Sequence, residues 1–172
     1  DHALDRLLRY HPDVVPAAEE IAADAAALPM GQVFMAYLLL MSTDEPDVAA
    51  AREAVARLAA LPLNDRETAH VAAVTAWVEG RWHEAARTLD ELLVRWPTDV
   101  LALVAGHLLD FFLGDAQNLR DRVGRSLPNF DPEHPHTGFV RGMHAFGLEE
   151  SGHYARAARV GLAAVERNPD DV

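Results

Sequence analysis

Cysteine and lysine are both missing from the 172 residues. Without cysteine there can be no disulfide and no thiolate metal site, and the redox compartment leaves no mark on the chain. Without lysine a Gly-x-x-x-x-Gly-Lys phosphate loop is impossible. A Gly-x-Ser-x-Gly nucleophile elbow is also absent. Apolar runs are short: the longest, Val33 to Met41, is about half of what a bilayer span requires, so no membrane role is expected. The N-terminus opens in polar, helix-like sequence with no legible signal peptide, which points to the cytoplasm. Positive charge is scarce. Fifteen arginines face 27 acidic residues, a net charge of -12, which repels phosphate backbones and anionic lipid. Nucleic acid is thereby excluded as a partner, and a basic or apolar peptide is favoured.

Half of the residues are hydrophobic, enough for one domain with a continuous core. Alanine runs such as Ala22-Ala23, Ala25-Ala26-Ala27 and Ala49-Ala50-Ala51 favour helix and allow helices to approach closely. β-Branched residues are scattered and never alternate over the length of a strand. The expected class is all-α. Arginine as the only strong base, with the alanine excess, is the composition of a high-GC bacterial genome.

The chain repeats itself. Gly80-Arg81-Trp82-His83-Glu84-Ala85, followed by Leu89, Leu92 and Pro97, returns as Gly152-His153-Tyr154-Ala155-Arg156-Ala157, followed by Ala164 and Pro169. Each reads Gly-x-aromatic-x-x-Ala, a helix, then Pro-x-Asp. The two glycines are 72 residues apart, as are the two prolines. Gly114 lies 34 residues after Gly80, with Leu119 and Val123 at the buried positions of its helix. The extra residues fall in the proline-rich stretch Pro128 to His136, which cannot be helix interior. Stepping back from Gly80 reaches Pro46, followed by Ala51, Val55 and Leu58. Packing explains the pattern. The glycine lets one helix reverse into the next, the aromatic fills the angle between them, the alanine lets them touch, and the proline ends the second helix. Each unit leaves an apolar face that only stacking can cover. These residues resemble the tetratricopeptide-repeat family, which implies a right-handed superhelical α-solenoid of antiparallel helix pairs.

The expected organisation is a single domain over 1–172. N-terminal helices Ala3–Tyr10 and Pro16–Leu28 occupy 1–30, the second ended by Pro29-Met30-Gly31. Units then span 31–63, 64–97, 98–136 and 137–169. Their helix pairs are Val33–Met41 with Val48–Ala60, Arg66–Val78 with Trp82–Arg95, Val100–Leu113 with Ala116–Ser126, and Gly138–Glu150 with Tyr154–Arg167. Asp47, Asp65, Thr98 and Thr137 are the expected N-caps or near-caps. The last helix is apolar on two sides, with Ala157, Val160 and Ala164 on one and Leu162 and Val165 on the other. No polar capping helix follows, so the sequence predicts a truncated array with an exposed end or self-association through it.

A closer resemblance is carried by Pro62-Leu63-Asn64-Asp65-Arg66-Glu67-Thr68-Ala69-His70, by Trp96-Pro97-Thr98-Asp99-Val100-Leu101-Ala102-Leu103, by Phe111-Phe112-Leu113-Gly114-Asp115, by Leu119-Arg120-Asp121-Arg122-Val123, and by Gly142-Met143-His144-Ala145-Phe146-Gly147-Leu148-Glu149-Glu150. In order, these are similar to the tetratricopeptide repeat protein 38 family over nearly the whole chain. That resemblance implies a longer protein, continuing with a Trp-x-x-His-x-x-x-His-x-x-Glu-type helix, and implies little about mechanism.

The family's register places Glu67, His70, Val74 and Trp77, then Val104, Leu108 and Phe111, then Phe139 and Phe146 on a concave groove, with His107 beside them. Such a surface is apolar and aromatic with an acidic edge at Glu149-Glu150, and lacks the basic clamp that grips acidic peptides. It suits an apolar helix or extended segment, from a partner protein or from the chain's own C-terminal half. The expected function is a protein- or peptide-binding scaffold without a cofactor. The alternative is part of a histidine- or metal-dependent enzyme or small-ligand site completed by downstream sequence. His107 and Asp110 are one helical turn apart, and His70 and His144 fall near them in repeat geometry. No His-Glu-x-x-His occurs. His134 and His136 are expected to be solvated, and Arg120, Arg122 and Arg125 to form a basic stripe paired with neighbouring acids.

Overall fold

The computed structural model describes residues 2–24 and 26–167; Pro169 and the terminal Asp170-Asp171-Val172 lie outside the described residues. Within that range there are ten α-helices, one 3-10 turn and no strand. The helices are α1 (His2–Leu8), α2 (Val14–Ala22), α3 (Pro29–Met41), α4 (Glu45–Leu58), α5 (Asp65–Val78), α6 (Trp82–Arg95), α7 (Val100–Phe112), α8 (Ala116–Ser126), α9 (Thr137–Glu150) and α10 (Tyr154–Arg167). The 3-10 turn, Leu127–Asn129, opens the proline-rich connection to α9.

The bends are set by glycine. Gly80, Gly114 and Gly152 have φ of 77, 70 and 81°, the left-handed region that a side chain disfavours. Each sits just past a helix and closes it with the same pair of bonds. The Gly80 N–H donates to the Trp77 carbonyl and Arg81 to Ala76; Gly114 donates to Phe111 and Asp115 to Asp110; Gly152 donates to Glu149 and His153 to Leu148. This is the Schellman arrangement, which satisfies carbonyls that the helix end leaves open. The earlier bends use residues with side chains. Tyr10 (φ 49°) ends α1 with the same two bonds, and Thr43 (φ 63°) occupies the turn after α3. The first pair therefore reverses at Thr43, not at Pro46, which instead lies in the first turn of α4 where a missing N–H costs nothing.

From α5 onward the expected spans hold to within a residue, and α6, α8 and α10 match at both ends. Departures lie near the N-terminus. α2 stops at Ala22 instead of Leu28, and Pro29 starts α3 instead of ending α2. The N-caps are also displaced to Asp44, Asn64, Asp99 and His136. Asn64 forms a capping box: its side chain accepts from the Glu67 N–H at 2.9 Å, and the Glu67 carboxylate accepts from the Asn64 N–H at 2.9 Å.

The chain forms two compact units, Asp1–Leu92 and Leu93–Val172, with the boundary inside α6. In the first, α1 packs on α2, α2 on α3, and α3 on both α4 and α5, which also touch each other. Tyr37, Leu58, His70 and Val74 are fully buried there. In the second, α7, α8, α9 and α10 pack in succession, and the 3-10 turn rests on α8 and α9. Its interior contains Leu103, Leu109, Leu119, Leu148 and a buried ion pair between Arg122 and Asp110. Among the described residues no helix is long and apolar enough to cross a membrane.

Candidate peptide-binding face

In the first unit the expected groove positions are core positions. His70 and Val74 are fully buried and Trp77 nearly so. Tyr37, a residue the sequence did not single out, explains this. Its hydroxyl lies 3.3 Å from His70 Nδ1, its ring stands edge-on to His70 at 5.8 Å, and it also meets Trp77 at 6.2 Å. Trp82, from the next helix, covers Trp77 at 6.4 Å. The aromatic after the bend thus fills the helix angle at Trp82, whereas Tyr154 at the equivalent place is exposed. Glu67 is engaged in the capping box, so it too is not a free groove acid.

The second unit carries the open apolar surface. Phe111 on α7 is 46% exposed and Phe146 on α9 is 38% exposed, and their rings meet at 5.7 Å. Phe112 adjoins Phe111 at 6.1 Å, and His107, one turn back on α7, stands edge-on to Phe146 at 5.7 Å. Val104 and Leu108 continue the α7 side and are partly exposed. Phe139, expected on the same surface, is buried and packs against His136 at 6.5 Å. Exposed Glu149 and Glu150 follow Phe146 at the end of α9.

His107 is neutral at physiological pH. Burial pushes its pKa down to about 4, opposed by a hydrogen bond to the Leu119 backbone and reinforced by the Arg122 charge. Its Nδ1 is buried, and no donor among the described residues reaches it. His144 on α9 behaves alike: burial lowers its pKa against a bond to the Arg120 backbone, and its Nδ1 is also buried without a donor. The two imidazoles therefore hold consecutive residues of α8 from the helices on either side.

Asp110, the expected companion of His107, is held by Arg122 through Nε at 2.7 Å and Nη2 at 2.9 Å, with Asn118 Nδ2 adding a bond at 3.1 Å. No group of three or more His, Asp or Glu placed to hold a metal ion occurs among the described residues. The basic stripe resolves into three roles. Arg120 pairs with Asp121, Arg122 is buried on Asp110, and Arg125 reaches the Asn118 side chain at 3.3 Å. His136 is buried rather than solvated, set edge-on between His134 and Phe139. The pattern of α8 could have revealed Arg122, because a stripe through Leu119, Val123 and Ser126 includes it.

No protein-family model matches the chain, and no solved structure matches it significantly.

Proposed function

We propose that this chain is a tetratricopeptide-type α-solenoid and that the α7/α9 face of its second unit binds an apolar segment of a protein. The carrying observation is the exposed pair Phe111 and Phe146, whose rings meet at a tilt. Aromatic side chains left in water beside half-buried aliphatic ones mark interaction surfaces more often than idle ones. Supporting the solenoid are the three identical glycine bends and the order of packing. Within the first unit α1 to α5 pack in succession, within the second α7 to α10 do, and alternate helices meet, as α3 meets α5 and as Phe111 on α7 meets Phe146 on α9. The resemblance to the tetratricopeptide repeat protein 38 family belongs to the same proposal, as does a cytoplasmic location.

The ligand is an apolar helix or strand with basic residues at one end, matching Glu149 and Glu150 and the chain's net charge of -12. It comes from a partner protein or from further sequence of the same polypeptide. A peptide array with Phe, Leu and Met at helical spacing and flanking arginines tests this. Wild type should retain a subset, and Phe111→Ser with Phe146→Ser should release it while helicity by circular dichroism stays unchanged. Retention of no peptide, or equal retention by the double variant, overturns the proposal. Trp77→Ala is unsuitable as a probe, because emptying a buried tryptophan site costs about 3–5 kcal/mol of stability.

A further inference from the structure

α9 lies directly on α8 at Arg120. A Cβ on Gly147 would stand 2.6 Å from the Arg120 Cα, closer than side chains approach a backbone. Two histidines hold the rest of that residue. His144, on α9, bonds the Arg120 backbone. His153, just past the α9–α10 bend, places Nε2 2.9 Å from Arg120 Nη1. The other guanidinium nitrogens, Nε and Nη2, pair with Asp121 at 2.6 and 3.0 Å. Asp115, which follows the preceding bend glycine as His153 follows Gly152, caps its own helix by accepting from the Asn118 N–H at 2.9 Å. His153 reaches back to α8 instead.

Both contacts need a neutral imidazole. A guanidinium only donates, so His153 Nε2 accepts through the lone pair that a proton would occupy. His144 Nδ1 is buried with no partner among the described residues, so a proton there becomes a buried N–H without an acceptor. The ring cannot easily turn away, because it fills the space beside Gly124, where a Cβ would stand 3.2 Å from it. Nearby charge acts in the same sense. His144 faces Arg120 and Asp121 from α8 and Arg156 from α10, two cations against one anion. His153 faces Arg120 from α8 and has Arg156 three residues on in α10. Glu149 and Glu150, which end α9, form no ion pair with it among the described residues.

We infer that the contact at Arg120 is an acid-sensitive joint: protonating His144 and His153 releases the α9–α10 hairpin from α8. The joint is complete above about pH 6.5, where a histidine in the open form is also neutral, and weakens as the pH falls below it. Opening carries Phe146 away from Phe111, so the apolar face is dismantled in acid. That last consequence rests on the binding proposal above; the opening itself does not.

Amide hydrogen exchange of the whole chain, corrected for intrinsic rates, reads the joint directly. Between pH 7.5 and 5.5 the protection of α9 and α10 should fall about tenfold further than that of α7, since each histidine gains a factor of ten per pH unit below its open-state value. Glutamine offers a donor to the Arg120 backbone and an acceptor to its guanidinium at any pH. His144→Gln with His153→Gln should therefore remove the difference, and His153→Gln alone, at an exposed position that folding tolerates, should remove part of it. A peptide retained at pH 7.5 should be released at pH 5.5 by the wild type and kept by the double variant. Absence of any retained peptide, with the exchange difference intact, removes the binding proposal and leaves the joint standing. Protection of α9 and α10 that tracks α7 over the whole range, or an undiminished difference in both glutamine variants, overturns the inference.

Discussion

Arg122 is the largest side chain in the fully buried set, and its guanidinium lies with Asp110 where both side chains are 0–1% exposed. Two charges withdrawn from water lose several kcal/mol of hydration each, recovered only when the pair is complete and well aligned. The bidentate geometry aligns the pair, and the Asn118 contact adds a further bond to Asp110. Arg122→Met alone should therefore cost about 3–5 kcal/mol, by leaving Asp110 buried and unpaired. Arg122→Met with Asp110→Leu should cost much less, and urea unfolding of the three variants provides the double-mutant cycle. Thr43 is the opposite case, a residue whose backbone is unfavourable as it stands. At φ 63° its Cβ is crowded, and Thr43→Gly should raise stability by up to about 1 kcal/mol, read as a shift in the urea midpoint. Equivalent positions also diverge by neighbour. Trp77 and Phe111 both lie three residues before a bend glycine, yet Trp77 is 3% exposed and Phe111 46%. Tyr37 and Trp82 cover the first. Among the described residues none of that kind covers Phe111, whose ring neighbours Phe112 and Phe146 lie beside it on the same open surface.

At the level of elements, helix ends and close approaches were written in short, local patterns of sequence. Gly-x-aromatic-x-x-Ala located α6 and α10 to the residue because a left-handed bend, a helix start and a small contact residue all follow from neighbouring side chains. Asn64-Asp65-Arg66-Glu67 carries the Asn-x-x-Glu spacing of a capping box, which places the cap at Asn64, one residue before the expected Asp65. Gly147 belongs to the same level. Gly147→Ala would drive a methyl into the α8 backbone, which cannot rotate away as a side chain could. The expected loss is about 1–3 kcal/mol, with α8 and α9 showing faster amide hydrogen exchange than α4 and α5.

For the whole molecule, acid sets two effects against each other. Protonating carboxylates relieves the self-repulsion of a chain with net charge -12. His107 acts in the opposite direction. The unfolded chain takes up its proton near pH 6.5, and the folded chain refuses it until about pH 4. Stability from this group is complete above pH 6.5, falls by roughly 3 kcal/mol as the pH drops through that window, and levels off below it. His144 shifts in the same direction. Urea midpoints from pH 7.5 to 4 should therefore fall for wild type, and His107→Leu should flatten the slope.

The sequence by itself determined the helical class and the positions of most helices from residue 65 onward. Bends, caps and breaks are decided by a few adjacent residues whose backbone preferences hold in any surroundings. Only the tertiary structure decided which polar groups went inside and which aromatic ones stayed out. Burial of Arg122, His70 and Trp77, and exposure of Phe111, Phe146 and Leu162, depend on side chains brought from distant helices. A helical register records which side a residue lies on, and not what lies opposite.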